Sequence, residues 1–256
     1  MNRPLSIAVN TFRESIRQKL LYVIMIFAAI IALSTFVLSP LSVGAAGGKI
    51  ITDVGLAGIS LLGVLMAVMV GNSLVNKEIE KKAIYMVMTR PVSRHQYLIG
   101  KFYGVIMALG LVMAVMSLVM TVMIVTGGGR PGPAVFFAVY LSMLEMATVS
   151  AVVIFFSTFT TPVLTTFFSV CVFVAGNLSG DLRAFSRKFG GTVVKYTMEA
   201  IYYLLPNMKV FDLRNEAVHE LRYGSGDILL ATLYAVVYCS VLIYFAWLVF
   251  RNREFA

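Results

Sequence analysis

No Asp, Glu, Lys or Arg occurs between Lys19 and Lys49, Asp53 and Lys77, Lys101 and Arg130, or Asp227 and Arg251. A fifth window, Pro131 to Gly180, holds a single charge, Glu145. A helix needs about 20 apolar residues to cross a hydrocarbon core, and each window is long enough. Backbone N–H and C=O groups in lipid can bond only within the protein, so such windows must be helical. With 59% hydrophobic and 13% charged residues and a mean hydropathy of +0.89, a soluble globular domain is excluded. The sequence reads as an all-α, polytopic membrane protein.

The window from Pro131 to Gly180 suits two spans, with "STFTTP" (Ser157 to Pro162) as the natural break. Six spans result, at about 20–42, 53–75, 101–126, 133–158, 162–180 and 228–250, in one permease-like domain covering 1–256. The run from Leu20 to Val43 is longer than a signal-peptide core, so it reads as a retained first span. Cys171 and Cys239 fall inside predicted spans, where thiols pack as small hydrophobes.

Six spans put both termini on one side. Counting short segments only, that side holds twelve Lys/Arg against two, Lys49 and Arg130, on the other. The positive-inside rule then places both termini, and the charged stretch 76–100, in the cytoplasm. The net charge of +9 follows from topology and attraction to anionic headgroups, and needs no nucleic acid. In "LSIAVNTFRESIRQKL", Leu5, Val9, Phe12, Ile16 and Leu20 recur at helical spacing, which predicts an amphipathic helix lying in the interface.

"VNKEIEKKAIYMVMTRPVSRHQYLIGKFYG" (75–104) is the most charged stretch. Ile79, Ala83, Met86 and Val87 form an apolar face over Lys77–Thr89. Arg90 and Pro91 end that helix, because a residue before proline is pushed out of the helical region. Ser93 and Gln96 are spaced as a capping box that starts the next one. A connection between antiparallel helices needs only a few residues, so a two-helix loop of this length reads as a docking surface. The bland reading is a belt of snorkelling side chains.

This loop resembles the cytoplasmic loop of ABC-2 type exporter permeases. The matching features are the acids Glu78 and Glu80, the segment Arg90-Pro91-Val92-Ser93-Arg94, and Gly100-Lys101 entering the next span. Lys82 and Ala83 depart from the Gly-Thr common there. "NTFRESIRQKLLY" resembles the N-terminal interfacial helix of these permeases, and "YYLLPNMKVFDL" their segment before the last span. The resemblance implies a half-transporter: two copies of this chain with two copies of a separate ABC ATPase. Residues 77–94 would be the coupling helix, with Glu78, Glu80, Arg90, Pro91, Ser93 and Arg94 as its contacts. It also implies a multi-pass protein of the bacterial inner membrane, working as an exporter. The alternative is a signal or force transmitter that acts on a periplasmic partner and moves nothing across.

The chain itself has no phosphate-binding loop. Lys49 has Val43 and Ile50 where Gly and Ser/Thr are required, and Lys101 fails at His95 and Phe102. The chain is therefore expected to be no enzyme and to hold no cofactor. ATP and Mg²⁺ would belong to the partner.

Glu145, near the middle of span four, is costly in lipid, so it faces protein or water, or is a protonated carboxyl bonded to a neighbouring helix or a second copy. It could line a pathway, or merely hold helices together. Met113, Met116, Met120 and Met123 share a face of span three; they read as packing or a greasy cavity before a copper path, since no Cys or His joins them. Gly63, Ala67 and Gly71, then Gly100, Gly104 and Ala108, permit close helix approach, within the chain or between copies. Outside, "TVVKYTMEAIYYLLPN" and "RNEAVHEL" suggest short interfacial helices within 181–227. His95 and His219 are isolated, and no metal site is expected. An intramembrane enzyme using Glu145 lacks any converging second group.

Overall fold

The computed structural model describes residues 3–16, 20–38, 46–80, 94–127, 129, 131–189, 196–197, 199, 202, 205–219 and 224–252. Its elements are α1 (Arg3–Ile16), α2 (Leu20–Leu38), α3 (Ala46–Glu80), α4 (Arg94–Thr126), α5 (Pro133–Ser157) and α6 (Pro162–Phe189). A 3-10 turn (Met208–Phe211), α7 (Arg214–His219) and α8 (Ser225–Asn252) complete it. Among the described residues there is no strand.

Five helical stretches are long and apolar enough to cross a membrane: Gly48–Asn72, His95–Thr126, Pro133–Ser157, Pro162–Gly180 and Gly226–Val249. The first expected span is represented by α2, a 19-residue apolar helix that ends at Leu38, short of the expected 42. Several helices outrun their apolar windows. In particular, α3 continues past Asn72 to Glu80, and α6 past Gly180 to Phe189.

At the break between α5 and α6, local chemistry explains the turn. Pro133 sits at the first position of α5, where its missing N–H costs nothing, and Pro162 does the same for α6. Between them the Thr158 N–H donates to the Phe155 and Phe156 carbonyls, and Thr160 Oγ1 donates to Phe156 O at 2.8 Å. Terminal carbonyls of α5 are thereby satisfied. Asn72 Nδ2, from α3, donates to Pro162 O at 2.9 Å and to Thr166 Oγ1 at 2.7 Å, pinning this turn to α3.

α5 is the centre of the bundle, packed by α3, α4, α6 and α8 and by the 208–219 segment. Hydroxyls on its buried faces are satisfied locally: Ser142, Thr148 and Ser150 each donate to the carbonyl four residues back. Small residues set the close approaches. A Cβ at Gly63 would lie 1.7 Å from Met146 Cε, and one at Gly71 2.9 Å from Val153. Both contacts are on α5, so the Gly63/Ala67/Gly71 stripe is spent inside the chain. Likewise Gly104 meets α1: a Cβ there would lie 2.5 Å from Thr11 Cβ and 2.7 Å from the Ala8 carbonyl oxygen.

α1 forms as expected, but the face it buries on the bundle is Ala8, Thr11 and Ser15. The larger residues Leu5, Val9 and Phe12 lie on the adjacent face, and Leu5 is well exposed. A small-residue face can seat against Gly104 where a Leu/Phe face could not. The apolar stripe is thus left for another medium.

The methionines fill the hollows over glycines. Met113, Met116 and Met120 are all buried, and a Cβ at Gly55 would collide with Met120 Sδ at 2.5 Å. Packing is the role seen. It follows that Gly63→Ala loses about 1–3 kcal/mol by overpacking. A Met146→Ala change in the same chain should recover most of that loss, which a double-mutant cycle of thermal stability in detergent would read. Additive losses would mean that the two helices do not meet there.

A candidate polar cavity around Glu145

The carboxylate of Glu145 is buried in the middle of α5, and its Oε2 accepts a hydrogen bond from Ser60 Oγ of α3 at 3.0 Å. The other oxygen, Oε1, has no hydrogen-bond partner among the described residues. Both residues line a cavity of about 330 Å³ between α3, α5, α6 and the segment 211–214. Its apolar wall includes Leu56, Leu61, Phe173, Phe211 and Leu213; its polar wall adds Ser142, Asn177, Asp212 and Arg214.

The segment after α6 closes this cavity. Met208, Phe211 and Leu213 are buried, and a Cβ on Gly176 would lie 2.4 Å from the Pro206 carbonyl oxygen, so α6 must carry glycine there. The Asn207 N–H donates to Tyr234 Oη of α8 at 2.8 Å. Arg214 grips α3 through a two-point pair, Nε to Asp53 Oδ1 at 2.6 Å and Nη2 to Asp53 Oδ2 at 3.0 Å. That hydrogen bond pushes the Arg214 guanidinium above its ordinary pKa, with partial burial acting against it. Both side chains are about 40% exposed (41% and 43%), so the pair contributes at most about 1 kcal/mol. Its value is positional: it fixes Asp212 and Arg214 at the edge of the Glu145 cavity.

A larger groove of about 680 Å³ runs between α4, α5 and α8, past Leu98, Phe102, Met143, Cys239 and Trp247. No carboxylate lines it, and the polar chemistry sits in the smaller cavity. Met113, Met116 and Met120 line neither. No group of three or more His, Cys, Asp and Glu side chains converges among the described residues.

Of the expected docking residues, Glu78 and Glu80 stand on the last turn of α3 and Arg94 on the first residue of α4. Arg90, Pro91 and Ser93 lie outside the described residues. α3 itself is one unbroken helix from Ala46 to Glu80. One rod therefore carries Glu78 and Glu80 at one end and Asp53 and Ser60 towards the other.

Residues 5–255 match the family model described as ABC-2 family transporter protein. The chain belongs to the ABC-2 transporter family. No curated protein matches it. Membership makes it a multi-pass membrane component of an ABC transporter rather than the nucleotide-binding domain, and implies an ABC ATPase as partner.

Sequence reasoning singled out Glu145 but missed what surrounds it. Ser60 is one of many hydroxyls in the spans, and Asp53, Asp212 and Arg214 stand at span edges where charges are ordinary. Only the packing of α3 on α5 and the return of 205–219 bring them together.

Proposed function

We propose that this chain is the membrane subunit of an ATP-driven exporter, dimeric, and coupled to a separate pair of ATPase subunits through residues 77–94. The observation that carries this is the continuity of α3. At about 1.5 Å per residue its 35 residues reach about 50 Å, against about 30 Å of hydrocarbon. α3 therefore continues eight residues past its apolar stretch, Gly48–Asn72, at the end that carries Glu78 and Glu80. A partner that grips Glu78 and Glu80 moves a stiff rod, and the rod's far end bears Ser60, against Glu145, and Asp53, against Arg214. Rigid-body displacement of packed helices is a standard way to carry such motion.

In this reading α2 is the sixth span, α1 lies in the cytoplasmic interface, and both termini are cytoplasmic in a bacterial inner membrane. The exposed Leu5 on α1 and the excess of Lys/Arg on short segments of that side support it. The segment 205–219 then caps the outer end.

The test is purification of the tagged chain from detergent, with ATPase activity measured for wild type and for the pair Glu78→Ala/Glu80→Ala. The expected result is an ATPase that co-purifies with wild type and is lost, or falls at least tenfold in coupled activity, with the pair. A chain that purifies alone, with no ATPase, overturns the proposal.

A further inference from the structure

The Glu145 cavity is lined by more acidic than basic side chains. It holds two carboxylates, Glu145 and Asp212, while its one guanidinium, Arg214, is already engaged by Asp53 outside it. Glu145 is buried, and one of its oxygens is left without a hydrogen-bond partner among the described residues. An ionisable side chain inside a membrane span marks a functional site by default, and Glu145 lines this cavity. The rest of the wall combines Ser60, Ser142 and Asn177 with apolar side chains, among them two aromatic rings, Phe173 and Phe211, a ring type whose faces favour cations. About 330 Å³ is at the small end of ligand cavities, which run from about 300 to 1,000 Å³.

We propose that this cavity binds small amphiphilic ammonium compounds, a protonated amine meeting Glu145 and an apolar body lying against Leu56, Leu61, Phe173 and Phe211. An ammonium would donate to the open Oε1 of Glu145 in a charge-assisted bond, the strong kind. Ser60 keeps its own bond to Oε2 and holds the carboxylate in position. Asp212, exposed at the edge, adds attraction for the incoming cation, and the charge of Arg214 is offset by its pair with Asp53. Occupancy rests on the cavity alone and not on the exporter reading, so either can fail without the other.

The experiment uses the full chain in phosphatidylcholine nanodiscs and saturation-transfer NMR with three probes of one shape: 2-phenylethylammonium, 2-phenylethanol and 3-phenylpropanoate. The ammonium should bind at least tenfold more tightly than the alcohol, and the carboxylate should not bind. Glu145→Gln should remove the preference for the ammonium, and Ala57→Phe, which fills the cavity, should abolish binding of all three. Asp212→Asn, at an exposed position that leaves the core intact, should weaken the ammonium several-fold and keeps the test valid if Glu145→Gln fails to fold. Equal binding of ammonium and alcohol, or ammonium binding unchanged in a folded Glu145→Gln or in Asp212→Asn, overturns the proposal.

Discussion

Val75→Pro should leave the partner ATPase bound and hydrolysing but disconnect it from the outer end of the chain. Residue 75 lies inside α3, between the apolar stretch that ends at Asn72 and Glu78 and Glu80, the acids proposed to dock the ATPase. Proline there removes the hydrogen bond from residue 75 to the carbonyl of Gly71 and presses its ring against that carbonyl, a cost of about 3 kcal/mol or more in a helix interior. The helix relieves this by kinking or breaking. The docking turn stays attached, because its own residues are unchanged, while the rod no longer carries its displacement past Asn72. In the reconstituted complex, transport-linked ATPase stimulation should drop tenfold or more, with Val75→Ala as the control that keeps it. Full coupling in Val75→Pro would mean that the work travels by another route, through α4 alone.

The second large effect is expected at the seat of α1. Gly104→Leu places a branched side chain where even a Cβ would lie 2.7 Å from the Ala8 carbonyl oxygen. Backbone on the neighbouring helix cannot swing aside as a side chain can, so α1 must lift from α4. Overpacking of this kind costs about 1–3 kcal/mol, or more when a helix is displaced. Lost thermal stability, together with proteolytic cleavage near residues 3–16 in detergent, would report the detachment. Gly110→Ala is the matched control on the same helix: its Cβ would meet only the tip of Met143, at 3.3 Å, and should be close to neutral. Equal effects at the two glycines would show that α1 does not seat on Gly104.

The contrast between what the residues announced and what they concealed follows from the range of the forces involved. Charge-free windows are long and additive, so the five membrane-length helices were legible from the windows after Asp53, Lys101, Arg130 and Asp227, the third of them holding two. Proline and threonine act within a turn, so the α5–α6 break around Ser157 to Pro162 was legible too. Glu78 and Glu80, expected on a separate helix over 77–89, continue α3, while the local signals at Arg90-Pro91 and Ser93 fall outside the described residues. Glycine stripes gave close approach but not its partner: Gly63 and Gly71 face α5, and Gly104 faces α1. That α1 is an amphipathic helix was legible from Leu5, Val9 and Phe12, but the face that seats on the bundle was not. Shape selects that face, since Ala8, Thr11 and Ser15 fit against a glycine. Glu145 stood out as a lone charge, but its cavity depends on contacts 85 residues apart to Ser60, which no periodicity encodes. The Asp53–Arg214 pair, at a separation of 161 residues, was hidden for the same reason.

The central claim is that α3 links the ATPase-docking end to the Glu145 cavity, and thiol labelling at the cavity tests it directly. Ala57→Cys puts a reporter on the cavity wall, in a background of Cys171→Ala and Cys239→Ala. Its rate of reaction with a cationic methanethiosulfonate is measured on the reconstituted complex, without nucleotide and with ATP and vanadate. The account predicts a several-fold change in rate on trapping nucleotide, absent when Glu78→Ala/Glu80→Ala is introduced. An identical rate in both nucleotide states, with the ATPase demonstrably bound, would contradict it.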